Sequence, residues 1–119
     1  MPLTTKDKGI EGEMIAMEHL KQIGMNIIEM NYHYGHGEID IIAMDGDTLV
    51  FCEVKYREND EFGDPAYAIT LKKQKQIRRI AQGYLYEHEI KEQSCRFDVV
   101  TVWDVDGARH ITHIRNAFP

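Results

Sequence analysis

Apolar residues recur along this chain at two different spacings, and the change of spacing separates predicted helices from predicted strands. Between residues 9 and 23 the spacing is close to the helical repeat, with apolar side chains at Ile10, Met14, Met17, Leu20 and Ile23. Gly24 follows directly, and glycine readily adopts the left-handed conformation at which many helices end. The first element is therefore predicted to be a helix.

Three strands are predicted after this helix. The first spans Met25 to Asn31, and a connection rich in glycine and histidine follows over residues 32–37. Residues 37–55 then hold two apolar runs on either side of Asp45-Gly46-Asp47. An Asp-Gly pair between such runs is a strong signal for a two-residue hairpin loop, so these runs are predicted to form a hairpin.

A second helix is predicted from the Asp64-Pro65 pair to about Glu89, after a charged loop over residues 57–64. Aspartate followed by proline is favoured at the start of a helix. Its inward face is expected to hold Ile69, Ile77, Ile80, Ala81, Tyr84 and Leu85.

Two strands complete the predicted order. Alternating apolar residues indicate a strand over Arg96 to Val105, and Asp106-Gly107 predicts a tight turn into a short strand, His110 to Ile114. Helices beside a compact sheet favour an α/β fold. No repeat or linker is visible, so residues 1–119 are predicted to form a single domain.

Composition narrows the function classes. The charged fraction of 29% and the hydrophobic fraction of 43% are those of a globular protein. No apolar run approaches a membrane span, residues 1–8 lack the apolar core of a signal peptide, and two cysteines are expected to be buried thiols. A cytoplasmic location is predicted. The net charge of −6 counts against a general, salt-driven grip on nucleic acid.

Three carboxylates and an ammonium lie within the apolar runs of the predicted hairpin, and the candidate functional residues among them are Asp40, Glu53 and Lys55. Burying unpaired charge is costly, so these side chains are predicted to serve a function. Side chains alternate between the two faces of a strand, so Glu38, Asp40 and Ile42 are expected to share one face of the first strand of this hairpin.

The length of the hairpin loop decides whether the three charged side chains meet. A two-residue loop at Asp45-Gly46 would pair Asp40 with Phe51, whereas a loop at Gly46-Asp47 would pair Asp40 with Glu53. Both loops leave the charged residues on one face. A three-residue loop without a bulge would separate them.

A metal site is the predicted use of this cluster. Glu13 lies on the side of the first helix that carries Ala16 and Leu20, and its carboxylate would join Asp40 and Glu53. Carboxylate oxygens suit Mg²⁺ or Mn²⁺. A structural charge network is the alternative interpretation.

A basic strip on the second helix is the other candidate surface, and its residues are Lys72, Lys73, Lys75, Arg78 and Arg79. Such a strip would contact phosphates while the rest of the surface stays acidic. A solvated helix face is an equally good interpretation.

The chain resembles the YraN-like family of small bacterial proteins, in segments that follow one another along nearly its whole length. They are Lys8-Gly9-x-x-Gly12-Glu13, Asn31-Tyr32, Gly37 to Ala43, Leu49 to Lys55 with Arg57, Phe62-Gly63-x-Pro65, Lys72 to Ile77 and Arg96 to Val100. That family is similar to the PD-(D/E)XK nucleases, which have a restriction-endonuclease-like fold and include Holliday-junction resolvases. The resemblance implies an α-β-β-β-α-β core, here with an added C-terminal strand.

The resemblance also implies roles for single residues. Asp40 and Glu53 match the two acids of the nuclease motif, Lys55 matches its lysine, and Glu13 matches the glutamate of the first helix. Ile39 stands where the name of the motif has proline. The implied function is a Mg²⁺-dependent nuclease acting on nucleic acid, with DNA as the expected polymer and a homodimer as the expected assembly. An interaction module that retains the fold without useful catalysis is the rival hypothesis.

Overall fold

The computed structural model describes residues 4–57 and 69–119. The elements are α1 (Thr5–Gln22), β1 (Asn26–Tyr34), β2 (Gly37–Asp45), β3 (Thr48–Arg57), α2 (Leu71–Glu87), β4 (Cys95–Val105) and β5 (Ala108–Phe118). This order confirms the predicted α/β class, with a restriction-endonuclease-like α-β-β-β-α-β core and an added C-terminal strand. Neither described helix combines the length and apolar content needed to cross a bilayer.

The five strands form one mixed sheet in the order β1-β2-β3-β4-β5. Strands β3 and β4 run parallel, whereas the other neighbouring pairs are antiparallel. Parallel neighbours cannot be joined by a tight turn, and α2 lies in the crossover between them. The central strand β3 is therefore held by both kinds of pairing.

The helices cover opposite faces of the sheet. The buried residues form two clusters, one containing Ile77 and Ile80 of α2 and the other containing Ala16 and Leu20 of α1. On β3, Phe51 belongs to the α2 cluster and its neighbour Cys52 belongs to the α1 cluster. Alternation along the central strand thus gives each helix its own half of the core.

Both helices begin at different residues from those predicted. At α1, Thr4 and Asp7 form a reciprocal capping box, so the helix starts before residue 9. At α2, Thr70 is extended and its hydroxyl accepts a hydrogen bond from the Lys73 N–H (3.1 Å). A continuous helix through Ile69 and Thr70 is therefore wrong, while the predicted start at Asp64-Pro65 lies outside the described residues.

The strands on the sheet edges are longer than predicted. Strand β1 continues through Tyr34, so most of the predicted connection over residues 32–37 belongs to the sheet. Strand β5 extends to Phe118, whose ring stacks on Phe97 at a centroid distance of 4.9 Å. Of the two cysteines, Cys52 is buried as predicted, but Cys95 is exposed.

A buried charge network ties β4, β5 and α1 together around Asp98, which is fully buried. The carboxylate accepts hydrogen bonds from Arg96 Nε (2.9 Å) and the Asn116 N–H (3.0 Å), and His113 Nε2 lies 2.8 Å away. The other ring nitrogen of His113 lies 3.3 Å from His19 of α1. Burial alone would raise the pKa of Asp98, but these partners hold the pKa below its ordinary value.

Gly83 of α2 is predicted to be required for the contact between this helix and β1. A Cβ added there would lie 2.6 Å from the ring of Tyr34, whereas one added at Gly9 of α1 would meet no atom of the described residues within 4 Å. Gly83→Ala should lower the free energy of unfolding by about 1–3 kcal/mol through overpacking. The control Gly9→Ala should raise it by about 0.5–1 kcal/mol. Urea unfolding measures both changes, and a stabilising Gly83→Ala would contradict the packing.

Candidate metal centre

The hairpin between β2 and β3 turns at Gly46-Asp47, with Asp45 paired to Thr48. The loop has two residues, and Gly46 has a φ of 60°, in the left-handed region that glycine tolerates. The prediction of a two-residue loop is confirmed. Of the two loops considered, the structure has Gly46-Asp47, which aligns Asp40 with Glu53.

Strands β2 and β3 separate immediately beyond this hairpin. Their pairing ends at Ile41 opposite Cys52, after which β2 stays paired with β1 and β3 stays paired with β4. In the gap, Oδ2 of Asp40 accepts a hydrogen bond from the Val54 N–H (2.8 Å). The carboxylate therefore takes the place that a strand partner would occupy, and this fixes Asp40 beside Glu53.

The expectation that Glu38, Asp40 and Ile42 share one face of a regular strand is wrong. Ile39 packs in the same cluster as Ile42, while Ile41 packs in the other cluster, so the alternation of β2 breaks at Asp40. Opposite this break, Asn31 of β1 has a φ of 54°. The regular alternation of side chains is therefore interrupted at Asp40, at the edge of the gap.

Three carboxylates converge at this break. One oxygen each of Glu13, Glu38 and Asp40 lies within 4.8 Å of the other two. The predicted pair Glu13 and Asp40 is thus brought together, but the third member of this group is Glu38 and not Glu53. Glu38 was not among the predicted ligands, although its position two residues before Asp40, on the face expected for Asp40, was a usable signal.

Asn31 positions the glutamate of α1. In the orientation that satisfies both groups, its amide N–H₂ donates to Oε1 and Oε2 of Glu13, at 3.2 and 3.1 Å. The left-handed backbone at Asn31, which asparagine adopts more readily than most residues, brings the amide under the helix. This residue was not predicted to belong to the site.

Glu53 lies beside the cluster and is held by two lysines. Its Oε1 is 3.8 Å from Nζ of Lys55 on the same strand and 3.7 Å from Nζ of Lys73 on α2. The Glu53 side chain is only 8% exposed, so these ammonium groups partly offset the cost of its burial. The structure thus places the predicted Glu53 and Lys55 together and adds Lys73.

Three acids of the site, Glu13, Asp40 and Glu53, have raised pKa values. Burial, followed by the charge of Asp40, raises the pKa of Glu53 to about 7, although Lys73 and Lys55 act in the opposite direction. Burial and a hydrogen bond shared with Asp40 raise the pKa of Glu13 to about 7. Burial also raises the pKa of Asp40. Clustered carboxylates that repel one another in this way favour a bound cation.

The donor set fits a hard divalent cation. All three grouped ligands offer carboxylate oxygen, which suits Mg²⁺ or Mn²⁺, and none of them offers the nitrogen or sulfur typical of zinc. Glu53 would supply a fourth oxygen from the opposite strand.

The side chains of the predicted basic strip point in three different directions. Lys73 contacts Glu53, whereas Arg78 donates a hydrogen bond to the carbonyl oxygen of Pro119 (2.9 Å). The remaining three side chains line a shallow groove together with Gln76: Lys72, Lys75 and Arg79. The groove is open to solvent at the side of α2, where a phosphate backbone would find several cations.

The sequence profile of the family described as "Uncharacterised protein family UPF0102" matches residues 12–102. A UPF0102 protein of Alkaliphilus oremlandii is 44% identical over 115 residues, covering 95% of this chain and 98% of the relative. A UPF0102 protein of Clostridioides difficile is 40% identical over 116 residues, covering 98% of this chain and 100% of the relative. These matches confirm the predicted resemblance to the YraN-like family.

Replacing Glu53 should stabilise the protein most at high pH. Its folded pKa of about 7 lies above the ordinary value of 4.5, so folding retains a proton that the unfolded chain releases between these values. This group's contribution to stability therefore falls as pH rises through that window. Glu53→Gln should raise the free energy of unfolding by about 1–3 kcal/mol at about pH 8 and much less at about pH 5.

The exposed Glu18 provides the matched control for this measurement, because Glu18→Gln also removes one carboxylate. Urea unfolding of the three proteins at both pH values gives the comparison. An equal effect of Glu53→Gln at both pH values would contradict the raised pKa.

Proposed function

Because the chain belongs to the uncharacterised protein family UPF0102, we propose a function from the geometry of its own site: a metal-dependent nuclease that hydrolyses phosphodiester bonds in nucleic acid, with DNA as the polymer. The observation that carries the proposal is the convergence of Glu13, Glu38 and Asp40 at a gap in the sheet, with two lysines on the neighbouring Glu53. Oxygen ligands beside a positive charge are the groups that phosphoryl transfer requires.

Asp40 would be the central ligand of a Mg²⁺ or Mn²⁺ ion, with Glu13, Glu38 and Glu53 completing the set. When bound, the cation would polarise a phosphoryl oxygen and lower the pKa of a water molecule. Lys55 would orient that water and offset negative charge that develops on the phosphorus oxygens. The groove of Lys72, Lys75 and Arg79 would hold the backbone without reading bases.

The proposed working form is a homodimer in the cytoplasm. A homodimer would allow this small chain to cover more nucleic acid and to place two sites on one substrate. Free thiols at Cys52 and Cys95 are compatible with a reducing cytoplasm.

Mn²⁺ should stabilise the folded protein, because it binds carboxylates that repel one another only when the chain is folded. A cation at ten times its dissociation constant adds about 1.4 kcal/mol to the free energy of unfolding. Asp40→Asn should remove most of this gain, while keeping an oxygen to accept the hydrogen bond from Val54. Asp47→Asn, at an exposed position in the hairpin loop, is the control. Thermal unfolding with and without millimolar Mn²⁺ decides, and an unchanged melting temperature for the wild type would refute the metal site.

Lys55→Ala should abolish cleavage with little loss of Mn²⁺ binding, because this lysine is proposed to act on the water and the transition state. Lys75→Glu together with Arg79→Glu should weaken nucleic-acid binding more at low salt than at high salt, because they are proposed to contact phosphates. The measurement is a nuclease assay on branched, flapped and single-stranded DNA and RNA, with binding followed at two salt concentrations.

The rival hypothesis predicts a different outcome of the same assay. Binding without cleavage of any substrate would identify an interaction module, which the net charge of −6 mildly favours. Cleavage that persists in both Asp40→Asn and Lys55→Ala would assign the activity to another site or to a contaminating nuclease.

A further inference from the structure

Lys73 differs from the other cations of α2 in where its side chain is directed. Lys72 and Lys75 are exposed and line the groove, whereas Lys73 reaches back to the sheet and places Nζ 3.7 Å from Oε1 of Glu53. Its side chain is 33% exposed, so it lies between the site and the solvent. Lys73 therefore connects the acidic gap with the basic groove.

The start of α2 holds Lys73 at this border. Its N–H donates to the hydroxyl of Thr70 (3.1 Å), and Gln74 Nε2 donates to the carbonyl oxygen of Ile69 (3.2 Å). Both contacts fix the first turn of the helix relative to the chain that precedes it. The cap thus fixes the backbone position from which the Lys73 side chain reaches β3.

A divalent cation and the two lysine ammonium groups would compete for the same atom, Oε1 of Glu53. A carboxylate oxygen that ligates a divalent cation is no longer a favourable partner for two ammonium groups, because the cation repels them at short range. Lys55 lies on the same strand as Glu53, two residues away, whereas Lys73 reaches Glu53 from another element and is somewhat more exposed. The charge of Lys73 also acts on Asp40, so it opposes a cation at two acids of the site.

We infer that Lys73 is a positioning residue that Glu53 exchanges for the cation: it holds Glu53 in the metal-free protein and is released to a phosphate of the nucleic acid when the cation binds. This inference rests on the proposed metal site and nucleic-acid substrate. Because of this exchange, cation binding and phosphate binding strengthen one another. The cation releases Lys73 to the phosphate, and a phosphate bound to Lys73 removes it from Glu53. Such coupling is reciprocal by thermodynamic necessity.

The exchange predicts two effects of Lys73→Gln. In the absence of nucleic acid, the variant should bind Mn²⁺ about fivefold more tightly or better, because the competing ammonium is gone. With a labelled branched DNA as the probe, Ca²⁺ should strengthen binding by a smaller factor in the variant than in the wild type. Isothermal titration measures the first effect, and fluorescence anisotropy measures the second.

Lys75→Gln is the matched control, since it removes an exposed lysine from the same helix. It should weaken DNA binding but leave both the Mn²⁺ affinity and the factor contributed by Ca²⁺ close to those of the wild type. Urea unfolding of both variants shows that each one is folded.

Either of two results would overturn the exchange: a wild-type Mn²⁺ affinity in Lys73→Gln, or an unchanged Ca²⁺ factor in that variant. Absence of DNA binding by the wild type would overturn it as well. These readouts do not depend on cleavage. A protein that shows the coupling but never cleaves would refute the nuclease alone, whereas a protein that cleaves without the coupling would refute the exchange alone.

Discussion

The separation of β2 from β3 beyond Ile41 and Cys52 is the constraint on which the rest of the site depends. It leaves the Val54 N–H without a strand partner, and a buried N–H without a hydrogen bond is costly. Asp40 supplies the acceptor, so a carboxylate is drawn into the sheet at the point where α1 and α2 both come close. The same hydrogen bond thus completes the sheet and places the central acid of the proposed metal site.

Two buried aspartates differ in the groups that surround the carboxylate, and this difference separates the structural role of Asp98 from the role proposed for Asp40. Asp98 is surrounded by donors from Arg96, His113 and Asn116, and its pKa is lowered. Asp40 is surrounded mainly by other acids, and its pKa is raised. Asp98 thus forms a satisfied ion pair that stabilises β4 and β5. Asp40 is repelled by the neighbouring acids, and a bound cation would relieve this repulsion.

The repulsion at Asp40 is distributed over three elements. Glu13 comes from α1, Glu38 from β2 and Glu53 from β3, and Lys73 of α2 opposes them from the other face. A cation that binds these carboxylates would therefore link α1 to β2 and β3. The helix that carries the basic groove also supplies Lys73 to Glu53, although the chain as a whole carries a net charge of −6.

The sequence by itself determined the order of elements and the hairpin, because hydrophobic spacing and turn residues act over short distances. It also singled out Asp40, Glu53, Lys55 and Glu13 as candidate site residues. It left two positions open for the two-residue hairpin loop, and only the strand pairing in the structure identifies the loop as Gly46-Asp47. It missed Asn31, because the left-handed backbone of this residue lies opposite Asp40 only when β1 and β2 are paired. It also left Glu38 out of the predicted ligands, although Glu38 lies two residues before Asp40. It grouped Lys73 with Arg78, since neighbouring cations look alike until helix packing turns one toward Glu53 and the other toward Pro119.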